Sequence, residues 1–463
     1  MDRFIHSSTK TLSEAIHNKE VSSYEVVTAC ISRIEAVNPK INAVVQKTFE
    51  EAIEQARQAD NALRRGDNWG LLHGVPMTIK DSLDTAGVVT TAGTKGRATY
   101  MPDKDATVVA RLRAAGAILV GKTNTPELTV AGITDNHIYG QTNNPYDLNR
   151  TPGGSSGGAA AIVATGAIPF DIGSDSSGSV RLPAHYCGIA GLKPTLGRVP
   201  RTGHILSFEI GLLDPYTHIG PLARYVEDLT LLLSIIAGVD WYDPTIVPIA
   251  LGNPLDVDLR QLRVAYYRDN GIKTSTSDTE QVIQQTVEIL FASGLTLVED
   301  RPPGIEQAEG LASNLILADG GAAIRKLLQT SGTALAETHS SIRWTQSDRV
   351  LPTLGLTALT AQWNIFRSHM LTFMREYDAI ICPASSTPAP PHETADIDFS
   401  YTVPYNLTGW PAVVVRGGTS SEGLPIGVQV IASPWREDVA CAIAQQIEEE
   451  LGGWQLPSVS IGD

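Results

Sequence analysis

Two clusters of glycine and serine, Gly153 to Gly158 and Ser174 to Ser179, hold the side chains best suited to chemistry in this chain. Glycine permits backbone conformations that other residues avoid. It also leaves main-chain N–H groups uncovered, able to bind a negative charge. A serine set among such groups is a candidate nucleophile with an oxyanion hole beside it. The same composition also describes a flexible linker. Here the clusters alternate with apolar structure, which argues against a linker. Ala159 to Ala164 reads as a helix of small residues that packs closely on a neighbour, with Gly166 as its stop. Ile168 to Ile172 reads as a buried strand running into the second cluster.

A serine nucleophile needs a base. Val75 to Lys80 reads as a strand in which Val75, Met77 and Ile79 share one face and Thr78 and Lys80 the other. A lysine there is a strand end reaching solvent, an ion-pair partner of the adjacent Asp81, or a buried amine. In the buried case desolvation lowers its pKa and leaves a neutral amine able to act as a base.

Two other motifs match by letter and fail by context. Gly116 to Thr123 fits the phosphate-loop pattern GxxxxGK(S/T), but its four middle residues are themselves the strand and Asn124-Thr125-Pro126 follows. Thr125-Pro126-Glu127 reads more simply as an N-cap with proline at the first helical position. Gly153 to Gly157 fits GxSxG, the nucleophile elbow, yet a loop precedes it and neither His369 nor His392 can be assigned as the base.

The stretch from Thr151 to Thr195 resembles the signature of the amidase-signature hydrolases, which include fatty acid amide hydrolase and the glutaminase subunit of tRNA-dependent amidotransferases. The resemblance begins near Leu72 to Asp81, runs through Gly220 to Arg224 and returns at Gly423 to Val430. It implies an α/β fold, a large α/β/α sandwich with a central mixed sheet flanked by helices. One domain would span 1–463, with a helical part over 1–66, a signature core over 72–224 and the rest of the sheet and substrate access over 225–463.

The resemblance also implies an activity: hydrolysis of a carboxamide C–N bond to an acid plus ammonia or amine, through an acyl-enzyme. Ser179, in Gly178-Ser179-Val180-Arg181, matches the family's nucleophile. Ser155 matches the bridging serine, whose preceding peptide bond is cis in the family, and Lys80 matches the base. The N–H groups of Ser176, Ser177, Gly178 and Ser179 would hold the oxyanion. Asp175 and Arg181 match supporting positions, with a merely local ion pair as the alternative. This chemistry calls for no cofactor and no metal. The family commonly has two glycines before the nucleophile, whereas here they are Ser177 and Gly178. A side chain at 177 restricts the backbone and is expected to tilt an oxyanion donor.

Tyr401 to Pro411 looks more like the stand-alone amidases. The alternatives are a glutaminase subunit feeding ammonia to a tRNA-dependent partner, and a non-catalytic relative that uses the pocket for binding. The expected partner is a small-molecule amide.

Bulk properties point to a globular chain, not a disordered one. The 463 residues carry 35 Lys+Arg against 50 Asp+Glu, a net charge of −15 that disfavours a nucleic-acid surface. No apolar run approaches the roughly 18–20 residues of a membrane span, and the N-terminus has no apolar signal core. Cys30, Cys187, Cys382 and Cys441 are scattered without a CxxC pair, which points to a reducing, cytoplasmic setting and to no zinc site.

The elements around the motifs follow from periodicity. The first 65 residues read as helices, with capping-box spacing at Thr11…Glu14, Ser22…Glu25 and Thr48…Glu51, and a stop at Asn38-Pro39. They pack on the main body or on a second protomer, as in a homodimer. Asp105 is expected to cap a helix to Ala115, followed by a strand over Ala117 to Val120. Tyr225 to Ala237 reads as an apolar helix, and 239–261 as a surface connection. Leu262 to Tyr267, Thr279 to Ala292 and Leu295 to Glu299 form a β-α-β pattern. The segment 305–377 reads as helical, and with 126–134 it is expected to wall the pocket. Strands follow at Ala379 to Cys382, Ala412 to Val415 and Ile426 to Ile431, then a closing helix, Arg436 to Glu450, with a solvated acidic face.

Overall fold

Short runs of apolar residues make the strands, and these join in one mixed sheet. The computed structural model describes residues 2–208, 210–211, 216–347, 350–394 and 396–458. The outer ends of the expected 1–463 span, and positions 348–349 of the access segment, lie outside the described residues. In chain order the strands are β1 (Val44–Lys47), β2 (Pro76–Lys80), β3 (Ile118–Thr123), β4 (Phe170–Asp175), β5 (Ala190–Lys193) and β6 (His218–Ala223). They continue with β7 (Arg263–Tyr266), β8 (Thr296–Glu299), β9 (Ala379–Pro383), β10 (Ala412–Thr419) and β11 (Pro425–Ala432). Their order across the sheet is β1-β3-β2-β4-β6-β5-β10-β11-β9-β7-β8. β2 runs parallel to β3 and β4, and β7 parallel to β8 and β9; the remaining pairs are antiparallel. Helices flank this sheet, as the α/β reading expected. No helix among the described residues is long and apolar enough to cross a membrane.

The interior strands β2, β4, β6, β9 and β11 are buried along their whole length. A polar residue on such a strand is therefore desolvated, at a cost that only a partner offsets, and this is the setting of Lys80, Asp171 and Asp175. The β-α-β unit is present as β7, the helix Ser277–Ala292 and β8, with Thr276 capping the helix by accepting from Thr279 N–H.

Several local expectations are corrected. Ser22 forms the capping box with Glu25, an arrangement typically worth about 1 kcal/mol. At the helix Thr9–His17, however, Ser8 is the N-cap and accepts from Thr11 N–H, while Thr48 makes no side-chain cap. The helix Ser23–Ile41 runs through Pro39 and ends at Asn42, which has φ +50°. Proline removes one helical hydrogen bond. Asn38 braces the exit by accepting from Ala43 and Val44 N–H and donating to the Val44 carbonyl. β1 interrupts the helical N-terminal part; it is only four residues long and lies at the sheet edge.

Asp105 does not cap Thr107–Ala114 but accepts from Ala86 N–H and pairs with Arg113. β3 extends past Val120 to Thr123, so Lys122 of the phosphate-loop look-alike lies inside a strand. Its ammonium is buried and donates to Leu83 O, Thr85 and Thr90. Pro126 starts no α-helix: the chain makes a tight turn with Leu128 at φ +52° and Thr129 at φ +63°. The closing helix, Glu437–Leu451, is only partly solvated on its acidic side. Glu437 is buried against Arg198 at 2.8 Å, and Glu449 and Glu450 face water.

Candidate active site

Three elements converge on Lys80. β2 ends at Lys80 between its neighbours β3 and β4, so the side chain projects from an interior strand, third from one edge of the sheet, and is fully buried. Its ammonium donates to Ser155 Oγ at 2.7 Å, Ser156 Oγ at 3.0 Å and Ser174 Oγ at 3.0 Å. Burial pushes its pKa down from 10.5 to about 7, and Asp175 and Asp171 only partly oppose this. Of the three settings open to this lysine, the structure adopts the buried amine.

Ser155 precedes the helix Gly157–Ala164, and the Gly154–Ser155 peptide bond is cis. Ser156 reaches the sheet because β4 has a glycine opposite it. A Cβ on Gly173 would lie 2.6 Å from Ser156 Oγ. Ser156 and Ser174 were not singled out in the sequence, although both lie inside the two clusters.

Ser179 sits on the turn that joins β4 to the helix Arg181–Cys187. Its carbonyl accepts from Ser156 N–H at 3.2 Å, which holds the two clusters together. Its hydroxyl forms no hydrogen bond among the described residues and lines a cavity instead. No Ser155–Ser179 hydrogen bond is formed among the described residues.

The turn is held from behind by Asp175 and Arg181, both fully buried. Arg181 grips Asp175 with two bonds of 3.0 Å and reaches Thr402 O, Gln429 Oε1 and Asn406 Oδ1. Asp175 also accepts from Gly178 and Val180 N–H. Burial raises the Asp175 carboxyl, but Arg181, Asn406 and Lys193 together more than offset this and hold it well below the usual carboxylate range. The pair is thus more than a local ion pair, because it ties the turn to β11 and to the helix Val403–Leu407.

Breaking such a pair strands a buried charge. Arg181→Met is expected to lower stability by about 3–5 kcal/mol, measured by urea unfolding. A loss under 1 kcal/mol would show that the remaining bonds to Asp175 suffice.

One oxyanion expectation is corrected. Gly178 N–H donates to Asp175 Oδ1 at 2.8 Å and is not free for a substrate. The N–H groups of Ser176, Ser177 and Ser179 have no acceptor among the described residues. The concern about Ser177 also changes. Gly178, not Ser177, takes the positive φ of +131°, and Ser177 O accepts from Thr402 Oγ1 at 2.6 Å. A serine therefore fits at 177 without strain. Ser177→Gly is expected to shift kcat by less than about threefold and to lower stability by about 0.4–1 kcal/mol through unfolded-chain entropy. Steady-state rates and urea unfolding check this.

The cavity before Ser179 measures about 400 Å3. Its walls come from Thr129–Gly132 and from Glu309, Ala312, Ser313, Ile316 and Trp344, the two segments expected. Leu206, Tyr216, Thr217, Phe399 and Val403 complete it and were not anticipated. A larger groove of about 620 Å3 lies between the N-terminal helices and contains none of the candidate residues. His369 and His392 line neither space, and a loop precedes Ser155, so the elbow reading has no base and no strand.

The amidase family model matches residues 25–441. The chain belongs to the amidase signature family. It is an amide-acting hydrolase of that family. A glutamyl-tRNA(Gln) amidotransferase subunit from Chloroflexus aggregans is 36% identical over 90% of this chain and 91% of its own length. Among solved structures, 6-aminohexanoate cyclic dimer hydrolase with its substrate superposes with a TM-score of 0.88 at 28% identity, over 98% of this chain and 99% of that one. The peptide amidase PAM with the inhibitor chymostatin gives 0.85 at 26% identity, over 97% and 99%. These amidase-signature neighbours share the large mixed sheet flanked by helices.

Proposed function

We propose that this chain is a stand-alone amidase that hydrolyses a small carboxamide through a Ser179 acyl-enzyme, with Ser155 as proton relay and Lys80 as base. The reading rests above all on the 2.7 Å contact between Lys80 and Ser155 inside the protein. A lysine with a pKa of about 7 is largely neutral in mildly basic solution and can accept the Ser155 proton. Ser155 in turn accepts the proton of Ser179 as the hydroxyls close up. Ser179 Oγ attacks the carbonyl carbon, and the oxyanion forms against the N–H groups of Ser176, Ser177 and Ser179. The proton returns through Ser155 to the leaving nitrogen as the C–N bond breaks. Water, deprotonated by the same relay, attacks the ester and frees the acid. Asp175 and Arg181 position the turn and touch no reacting atom.

A second reading is favoured by the names of the curated relatives. They are amidotransferase subunits, 33–36% identical over 90% or more of this chain. A glutaminase must bind the carboxylate of free glutamine. The described cavity lining holds no lysine or arginine, and its one charged side chain is Glu309. That lining supports an amide other than glutamine.

Ammonia release from a panel of primary amides, glutamine included, by wild type and Ser179→Ala separates the readings. Release from several apolar amides by wild type alone upholds the amidase. Release from glutamine alone upholds the glutaminase. No release, together with no acylation of Ser179 by a serine-directed probe, would leave a binding relative.

A further inference from the structure

Glu309 is out of place on the wall of this cavity. It shares the cavity wall with Ala312, Ser313, Ile316, Phe399 and Val403, all but the serine apolar, and it is half-buried. The carboxyl forms no hydrogen bond and no ion pair with any described residue. Its described surroundings compensate it only in part. Burial raises its pKa, Asp398 adds to that, Lys273 opposes it and Asp396 adds again. Lys273, the nearby cation, is already engaged by Asp396 at 2.7 Å. An unpaired, partly desolvated carboxylate is costly unless a partner arrives. Among the described residues the cavity thus has an apolar body, the Ser179 hydroxyl and one carboxylate without a hydrogen-bonded or ion-paired partner.

We infer that Glu309 is a specificity-determining residue that selects amides with an apolar body and a protonated amine, its carboxylate binding the ammonium group. The inference rests on the amidase reading of Ser179. It follows from the charge balance of the lining. A cationic ligand supplies the charge that Glu309 lacks, through a charge-assisted hydrogen bond. A neutral ligand leaves the carboxylate unpaired. A zwitterion such as glutamine brings a second carboxylate into a lining with no described cation. A purely structural role is the competing explanation. Glu309 lies in the first turn of the helix Ala308–Ile316, where a negative charge favours the helix dipole. That role would affect stability and leave ligand preference untouched.

The test uses ω-aminoalkanamides of several chain lengths against isosteric alkanamides, because a flexible series does not presuppose the reach from Ser179 to Glu309. Binding is measured by calorimetry to the full-length Ser179→Ala protein, so no turnover is needed. At least one aminoalkanamide is expected to bind about tenfold tighter than its neutral isostere. Adding Glu309→Gln should bring that ratio close to one, and Glu309→Asp should keep part of it. In wild type the preference should appear in KM with kcat little changed. A ratio near one across the whole series overturns the inference, as does a preference that survives Glu309→Gln. Turnover of the alkanamides by wild type reads the amidase separately. Its absence beside an intact binding preference would defeat the catalytic reading, and with it substrate selection, while upholding Glu309 as the group that binds the ammonium.

Discussion

Lys80→Met is expected to lower kcat for a carboxamide by roughly 10,000-fold while the protein stays folded. Methionine fills the space of the lysine stem and carries no base. Ser155, Ser156 and Ser174 each lose a partner, yet they can still bond to one another or to water. The wild-type pH profile carries the same prediction. The base works as the neutral amine, and its pKa of about 7 lies far below the usual 10.5 because the side chain is buried. kcat/KM should therefore rise with pH through about 7 and level off above it, falling tenfold per unit on the acid side. Lys80→Met should lose that inflection. A profile flat from pH 5.5 to 9 would mean that Lys80 is not the base.

Ser179→Ala is expected to reduce kcat further, by roughly 10^5–10^6-fold, with amide binding preserved within a few-fold. The hydroxyl lines the cavity without holding any described partner in place, so its removal should leave the fold unchanged. Residues that act as a unit are not additive. The double variant Lys80→Met with Ser179→Ala should thus be no slower than Ser179→Ala alone. Rates that multiply would show the two acting in independent steps. Steady-state kinetics with a chromogenic amide measures both.

The parts of this site that were legible in the sequence are those fixed by local chemistry. Glycine and serine clusters advertise a turn that exposes N–H groups, and Lys80 on an apolar strand raised the question of burial. The surrounding lattice was not legible, because its members meet only in three dimensions. Asn406 and Thr402 lie more than 220 residues from Arg181 and Ser177 along the chain. Gln429 left a signal. It is a lone amide between Val428 and Val430 on a buried strand, and such a residue must have partners. It finds them in Arg181 and the Tyr401 carbonyl.

β6 was missed for a different reason. Pro221 and Gly220 disfavour a strand assignment, yet β6 lies between β4 and β5. β5 pairs only with Leu222 and Ala223, so the missing proline N–H leaves no gap in that ladder. The helix Arg181–Cys187 carries a proline at its third position and no apolar period. It forms because Arg181 and the turn before it are anchored by Asp175.

The most direct measurement is peptide mass mapping of the wild-type protein after reaction with a fluorophosphonate, at pH 6 and pH 8. The label should be on Ser179, should form markedly faster at pH 8, and should be missing from Ser179→Ala. Labelling of Ser155 or Ser156 in place of Ser179, or a rate on Ser179 indifferent to both pH and Lys80→Met, would contradict a lysine-activated Ser179.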